Sequence, residues 1–115
     1  MARRSEFVGY ICDLLAPLGE IRAKAMFGGW GLYCGELFFA IIADDTLYLK
    51  ADATSRERFV SAGQRPFTFV MRGAQKQMDY YTAPTDALEE SETLCEWAQL
   101  ALGAARRKPS AKRRR

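Results

Sequence analysis

The sequence predicts a two-layer α+β domain, an antiparallel sheet flanked by helices in the order α-β-β-β-β-α-β-β-α. Three observations carry that prediction. Apolar residues recur at helical spacing near both ends of the chain. Between these ends, short alternating stretches follow one another with turn residues at close intervals. Strands and helical segments do not alternate, which argues against a doubly wound nucleotide-binding sheet. With 115 residues, 49% of them hydrophobic, the chain has the size and composition of one folded domain.

Each element has its own signal. Phe7, Ile11, Leu14, Leu15 and Leu18 form one helical stripe over about 5–17, with Ser5 as N-cap and with Pro17 and Gly19 ending the run. "IRAKAMF", from Ile21, alternates as a strand does. "GLY" leads into "CGE", where Gly35 can supply the positive φ of a hairpin turn. "LFFAIIA" is apolar on both faces and reads as a central strand. After the turn "DDT", "LYLKAD" points Leu47 and Leu49 inward and Tyr48 and Lys50 outward. Thr54 and Glu57 have capping-box spacing before a short helix expected to bury Phe59 and Val60. "PFTFVMR" places Phe67, Phe69 and Met71 on one face, and "KQMDYYT" pairs back with Met78 and Tyr80 on one face. One of Tyr80 and Tyr81 is expected in the core and the other exposed. Pro84 and Asp86 are expected to open the last helix, with Asp86 and Glu89 again at capping-box spacing. Its apolar stripe is Leu94, Trp97, Ala98, Ala101 and Ala105.

Charge divides the chain. Residues 106–115, "RRKPSAKRRR", hold seven of the 17 Lys+Arg and no acid. The remaining residues have ten basic and 14 acidic groups, a net charge of −4. A folded domain over 1–105 and a basic tail over 106–115 are therefore expected. Cys12, Cys34 and Cys95 are odd in number and far apart, without a CxxC pair, and the chain has no histidine. That pattern argues against a disulfide framework and a zinc site, and fits reduced thiols in the cytoplasm. No apolar run reaches the ~20 residues of a membrane span, and "MARRSEF" is not followed by the apolar stretch of a signal peptide.

The stretch "AMFGGWGLYCGELFF" at 25–39 raises the question of chemistry. A dinucleotide fingerprint needs a third glycine and a following helix, and a P-loop needs Lys-Ser/Thr after its last glycine. Neither is present, so Gly28, Gly29 and Gly31 are read as permitting a bulge or a close crossing of strands. Without histidine there is no Ser-His or Cys-His pair. Asp44 and Asp45 read as turn residues. No catalytic residue or cofactor is expected; an enzyme of unrecognised chemistry would have to use Lys50, Cys34 or Tyr80. Trp30, beside the glycines, is read as packing over the sheet, with an exposed recognition aromatic as the alternative.

"RAKAMFGGWGLYCGELFFAII", "LYLKAD", "FTF", "MDYYTAP" and "LCEWAQLALGAAR" together resemble the N-terminal domain of the TfoX/Sxy regulators of natural competence. The matching positions include Met26, Phe27, Gly28, Gly29, Gly31, Tyr33, Lys50, Tyr80, Tyr81, Pro84 and Trp97, and the match covers about 7–106. The resemblance implies a fold similar to the secretion-chaperone architecture and a non-enzymatic regulatory role, switching on DNA-uptake genes together with the cyclic-AMP receptor protein through protein contacts near DNA. It carries no catalytic residues. The contact surface it suggests includes Met26, Phe27, Gly28, Gly29, Trp30, Gly31 and Lys50. The family's longer members have a second helical domain, and this sequence is read as the first domain alone. The basic tail offers a different function, sequence-independent nucleic-acid binding through Arg106, Arg107, Lys108, Lys112, Arg113, Arg114 and Arg115. The architecture is also compatible with a homodimer.

Overall fold

The computed structural model describes residues 6–26 and 28–107. Ser5, Phe27 and residues 108–115, including Lys108, Lys112, Arg113, Arg114 and Arg115, lie outside the described residues. The elements are α1 (Glu6–Leu14), a 3-10 turn (Ala16–Leu18), β1 (Ile21–Met26), β2 (Gly29–Cys34), β3 (Leu37–Ala43), β4 (Thr46–Lys50), α2 (Arg56–Ser61), β5 (Pro66–Met71), β6 (Ala74–Thr82), a second 3-10 turn (Thr85–Glu89) and α3 (Ser91–Arg106). The order is the one the sequence predicts.

The six strands form one antiparallel sheet in the order β1-β2-β3-β4-β6-β5. β1 to β4 are a meander of sequential neighbours. Two-residue turns fix its register. Asp44 and Asp45 have φ of 52° and 53°, the pattern of a type I′ turn, and they join Ala43 to its partner Thr46. Gly35, at φ 62°, turns β2 into β3, as expected. Arg72 and Gly73 at φ 56° and 77° join β5 to β6. β4 skips β5 and pairs with β6, so β5 becomes the border strand.

Two glycines hold the meander tight. A Cβ on Gly29 would lie 2.2 Å from the Ile42 carbonyl oxygen. A Cβ on Gly31 would lie 2.7 Å from Met26 Cε and 2.8 Å from Phe38 Cε1. The glycines thus permit close approach, and the bulge of this region falls beyond them, between Leu32 and Tyr33.

Helices α1 and α3 cover one face. Val8, Ile11 and Leu15 from the N-terminal segment and Leu94, Ala98, Ala101 and Leu102 from α3 bury against Leu32, Phe39, Ala40, Ile42, Leu47 and Leu49. Phe59 of α2 stacks on Tyr81 (5.7 Å between centroids) and packs at 5.1 Å from Trp97. The start of α3 is tied to the end of α1: Ser91 Oγ donates to the Leu14 carbonyl at 2.6 Å. Tyr10 donates its hydroxyl to the Leu88 carbonyl.

Several local expectations are corrected. Val60 is 54% exposed, because a six-residue helix has room to bury only Phe59. Tyr80 and Tyr81 are both buried, at 3% and 5%, on opposite faces of β6. Thr54 does not cap α2; the Asp52 carboxylate accepts from the Thr54 and Ser55 amides instead. Asp86 and Glu89 belong to the 3-10 turn, and Glu90, in extended conformation, precedes α3 and accepts from the Thr93 hydroxyl.

Replacing Gly29 with Ala should lower stability by about 3 kcal/mol, since the clash is with rigid backbone. Gly28→Ala meets open space and should cost only about 1 kcal/mol, for its positive φ. Urea unfolding of both variants measures the difference.

Candidate protein-contact face

The sheet face opposite the helices is lined by its own side chains. Pairing and alternation place Arg22, Lys24 and Met26 of β1, Gly31 and Tyr33 of β2, and Phe38 and Ile41 of β3 on this side. Tyr48 and Lys50 of β4, Lys76, Met78 and Tyr80 of β6, and Phe67 and Phe69 of β5 continue it. The rings form a row. Tyr33 and Phe38 stack at 5.0 Å, Phe38 and Tyr80 lie 5.8 Å apart, and Tyr48 meets Phe67 edge-on at 4.9 Å. The Arg22 guanidinium sits 5.3 Å over the Tyr33 ring, and Lys50 Nζ sits 5.1 Å over Tyr80. Burial in this row, with Tyr33 beside it, pushes the Tyr80 hydroxyl up to about 12.

The electrostatics are one-sided. Four cations occupy outward strand positions, and among the described strands the one carboxylate, Asp79, points to the other side. There it forms a two-bond ion pair with Arg56 of α2 at 3.1 and 2.6 Å. The acids of the body lie in turns and on the helix layer.

This arrangement divides the residues singled out in the sequence. Met26, Gly31 and Lys50 lie on the open face. Gly28 forms the exposed β1–β2 turn, and Gly29 presses on the backbone of β3. Trp30 pairs with Ile42 and packs, half-buried, against the core on the helix side. These residues therefore do not form one surface. Of the aromatic row, by contrast, the sequence places only Tyr48 outward; Phe67 and Phe69 share a face, Tyr33 and Phe38 have none assigned, and strand pairing brings these rings to one side.

Of the basic segment, Arg106 ends α3 and Arg107 is engaged. Its Nε and Nη2 donate to Asp52 at 2.9 and 3.1 Å. The same carboxylate holds the Thr54 and Ser55 amides, so one side chain ties the entry of α2 to the end of α3. Arg107, then burial, then the two amides act on Asp52, with the net effect of lowering it to about 2. Among the described residues, no group of three or more His, Cys, Asp or Glu could hold a metal ion. No described helix is long and apolar enough to cross a membrane.

The family model of the TfoX N-terminal domain matches residues 13–105. The chain belongs to that family. The matched span contains every strand of the sheet. Protein Sxy of Escherichia coli (strain K12) is 26% identical over 103 residues, covering 90% of this chain and 49% of that protein. The chain thus spans about half the length of this curated relative.

Asp52→Asn should destabilise the domain by about 1 kcal/mol at pH 7, through loss of the charge paired with Arg107, since an amide oxygen still accepts from the Thr54 and Ser55 amides. Because the folded state lowers Asp52 from 3.8 to about 2, its contribution is complete above pH 4 and lost as pH falls through 2. Urea unfolding from pH 2 to 7 should show the stability curves of the two proteins converging at the acid end.

Proposed function

We propose that this chain is a non-enzymatic regulatory binding module of the TfoX/Sxy kind, acting in transcription control through protein contacts. The observation that carries the reading is the TfoX N-terminal domain match over residues 13–105. The similarity to protein Sxy supports it. The contact surface we assign is the helix-free sheet face. Its aromatic rings, with Arg22 over Tyr33, are of the residue types enriched at protein interfaces.

The test is capture from the organism's own extract with the tagged full chain, beside an Arg22→Glu/Lys24→Glu variant. Both side chains are exposed, so the fold should tolerate the change. RNA polymerase or one of its regulators should be enriched by the parent chain and lost with the variant. Recovery of no transcription component would sink the proposal.

A second reading keeps support from composition alone: five cations remain beyond Arg107. If they anchor the chain to nucleic acid, affinity for a duplex should fall with salt at a log–log slope of about −4.5, about −0.9 for each phosphate neutralised. Changing those five residues to serine should remove the slope. Weak, salt-insensitive binding by the parent chain would leave the segment a solubilising one.

A further inference from the structure

The hairpin of β5 and β6 has the least protected edge of the sheet. Only Tyr80, Tyr81 and Thr82 of β6 pair with β4, and the Asp79 carbonyl accepts from Ala51, so Ala74–Met78 pair with β5 alone and the hairpin overhangs the sheet. β5 is the border strand, and Pro66–Met71 contain no charged residue. The opposite border, β1, displays Arg22 and Lys24, the kind of cation that blocks edge pairing. Val70 is 73% exposed and Met71 49%. With Phe67, Phe69 and Met78 they line an apolar groove of about 460 Å³ along the edge.

The turn fixes which backbone groups face out. Met71 and Ala74 flank a two-residue type I′ turn and so exchange hydrogen bonds with each other. By alternation, Phe67 and Phe69 also bond toward β6, whereas Thr68 and Val70 aim their N–H and C=O groups away from the sheet. These are the groups a further strand would use.

Charge selects the occupant. From Arg58 to Met78 the sequence contains Arg58, Arg65, Arg72 and Lys76 and no carboxylate. The chain's own ends do not fit: residues 1–5 carry Arg3 and Arg4, residues 108–115 carry five cations, and neither has an acid. A second copy fits poorly too. Pairing Thr68 with Val70 of the other copy sets Arg72 opposite Pro66, beside Arg65. We propose that β5 accepts an extended segment of a partner protein as a seventh strand, one with alternating apolar residues and carboxylates at its flanks. This assignment rests on the protein-contact reading above and names the edge and the chemistry it would use.

The test is amide NMR of the full chain with the synthetic peptide DDVTVTVDD and its counterpart KKVTVTVKK. The acidic peptide should shift the Thr68 and Val70 amides saturably and slow their exchange. The lysine peptide should bind about tenfold more weakly or worse. Val70→Pro should abolish binding; its amide points away from β6, so the hairpin keeps its ladder. Val70→Lys, a milder block on the edge, should weaken binding in the same direction. No binding of the acidic peptide, equal binding of both peptides, or unchanged binding by both variants overturns the assignment. So does a dimer of the free chain that Val70→Lys dissociates, since the edge would then belong to a second copy. If the peptide fails while the parent chain still captures a transcription component, the edge assignment falls alone. If both fail, the protein-contact reading falls with it.

Discussion

The close seating of α3 on β3 and β4 is the constraint from which the rest of the molecule follows. Ala98, Ala101 and Ala104 are fully buried on that helix, and small residues let its backbone come near the sheet. The bulk that fills the layer comes from the strands and from α2: Phe39, Leu47, Leu49 and Phe59 are all fully buried. A Leu at Ala98 would lift the helix and open the core. α1 depends on the same seating, because its C-terminal end hangs on α3 through the Leu14 carbonyl, which accepts from Ser91 and, at 3.5 Å, from the Cys95 thiol.

With both long helices on one face, the other face has to cover itself. A row of rings does so, and cations lying over Tyr33 and Tyr80 complete the cover. The arrangement explains why Ile41 is buried although no helix reaches it. It also explains the glycine at 31: a side chain there would push Met26 and Phe38 apart. The glycine-rich motif therefore acts on packing and on the shape of the open face.

Much of the fold was legible because strand and helix periods differ and the turns carry their own residues. Asp44-Asp45 and Gly35 announced two of the hairpins, and the alternation of Leu47 and Leu49 with Tyr48 and Lys50 gave the faces of β4 correctly. Local spacing misled where tertiary contacts decide. Thr54–Glu57 looks like a capping box, yet Asp52 takes the amides because Arg107, 55 residues away, holds it in place. One of Tyr80 and Tyr81 is expected to be exposed, yet both are buried, with Phe38 against Tyr80 from across the sheet and Phe59 against Tyr81. The contact face was the least legible feature. Trp30 and Lys50 look alike as motif residues, but Trp30 pairs through Ile42 with Leu47, and alternation along β4 sends Lys50 to the opposite side.

The bond from Ser91 to Leu14 spans 77 positions, whereas each meander hairpin closes over two residues. Loop-closure entropy grows only logarithmically, by about 0.6 kcal/mol per doubling. Five or so doublings separate a hairpin from that span, an added cost of about 3 kcal/mol. One or two hydrogen bonds, each contributing about 1 kcal/mol net, would barely offset it. Val8, Ile11 and Leu15, all fully buried, each add about 1.5–3 kcal/mol. The N-terminal helix is therefore held in place chiefly by three aliphatic side chains, and the polar contacts at Leu14 set its alignment on α3 more than the strength of the joint.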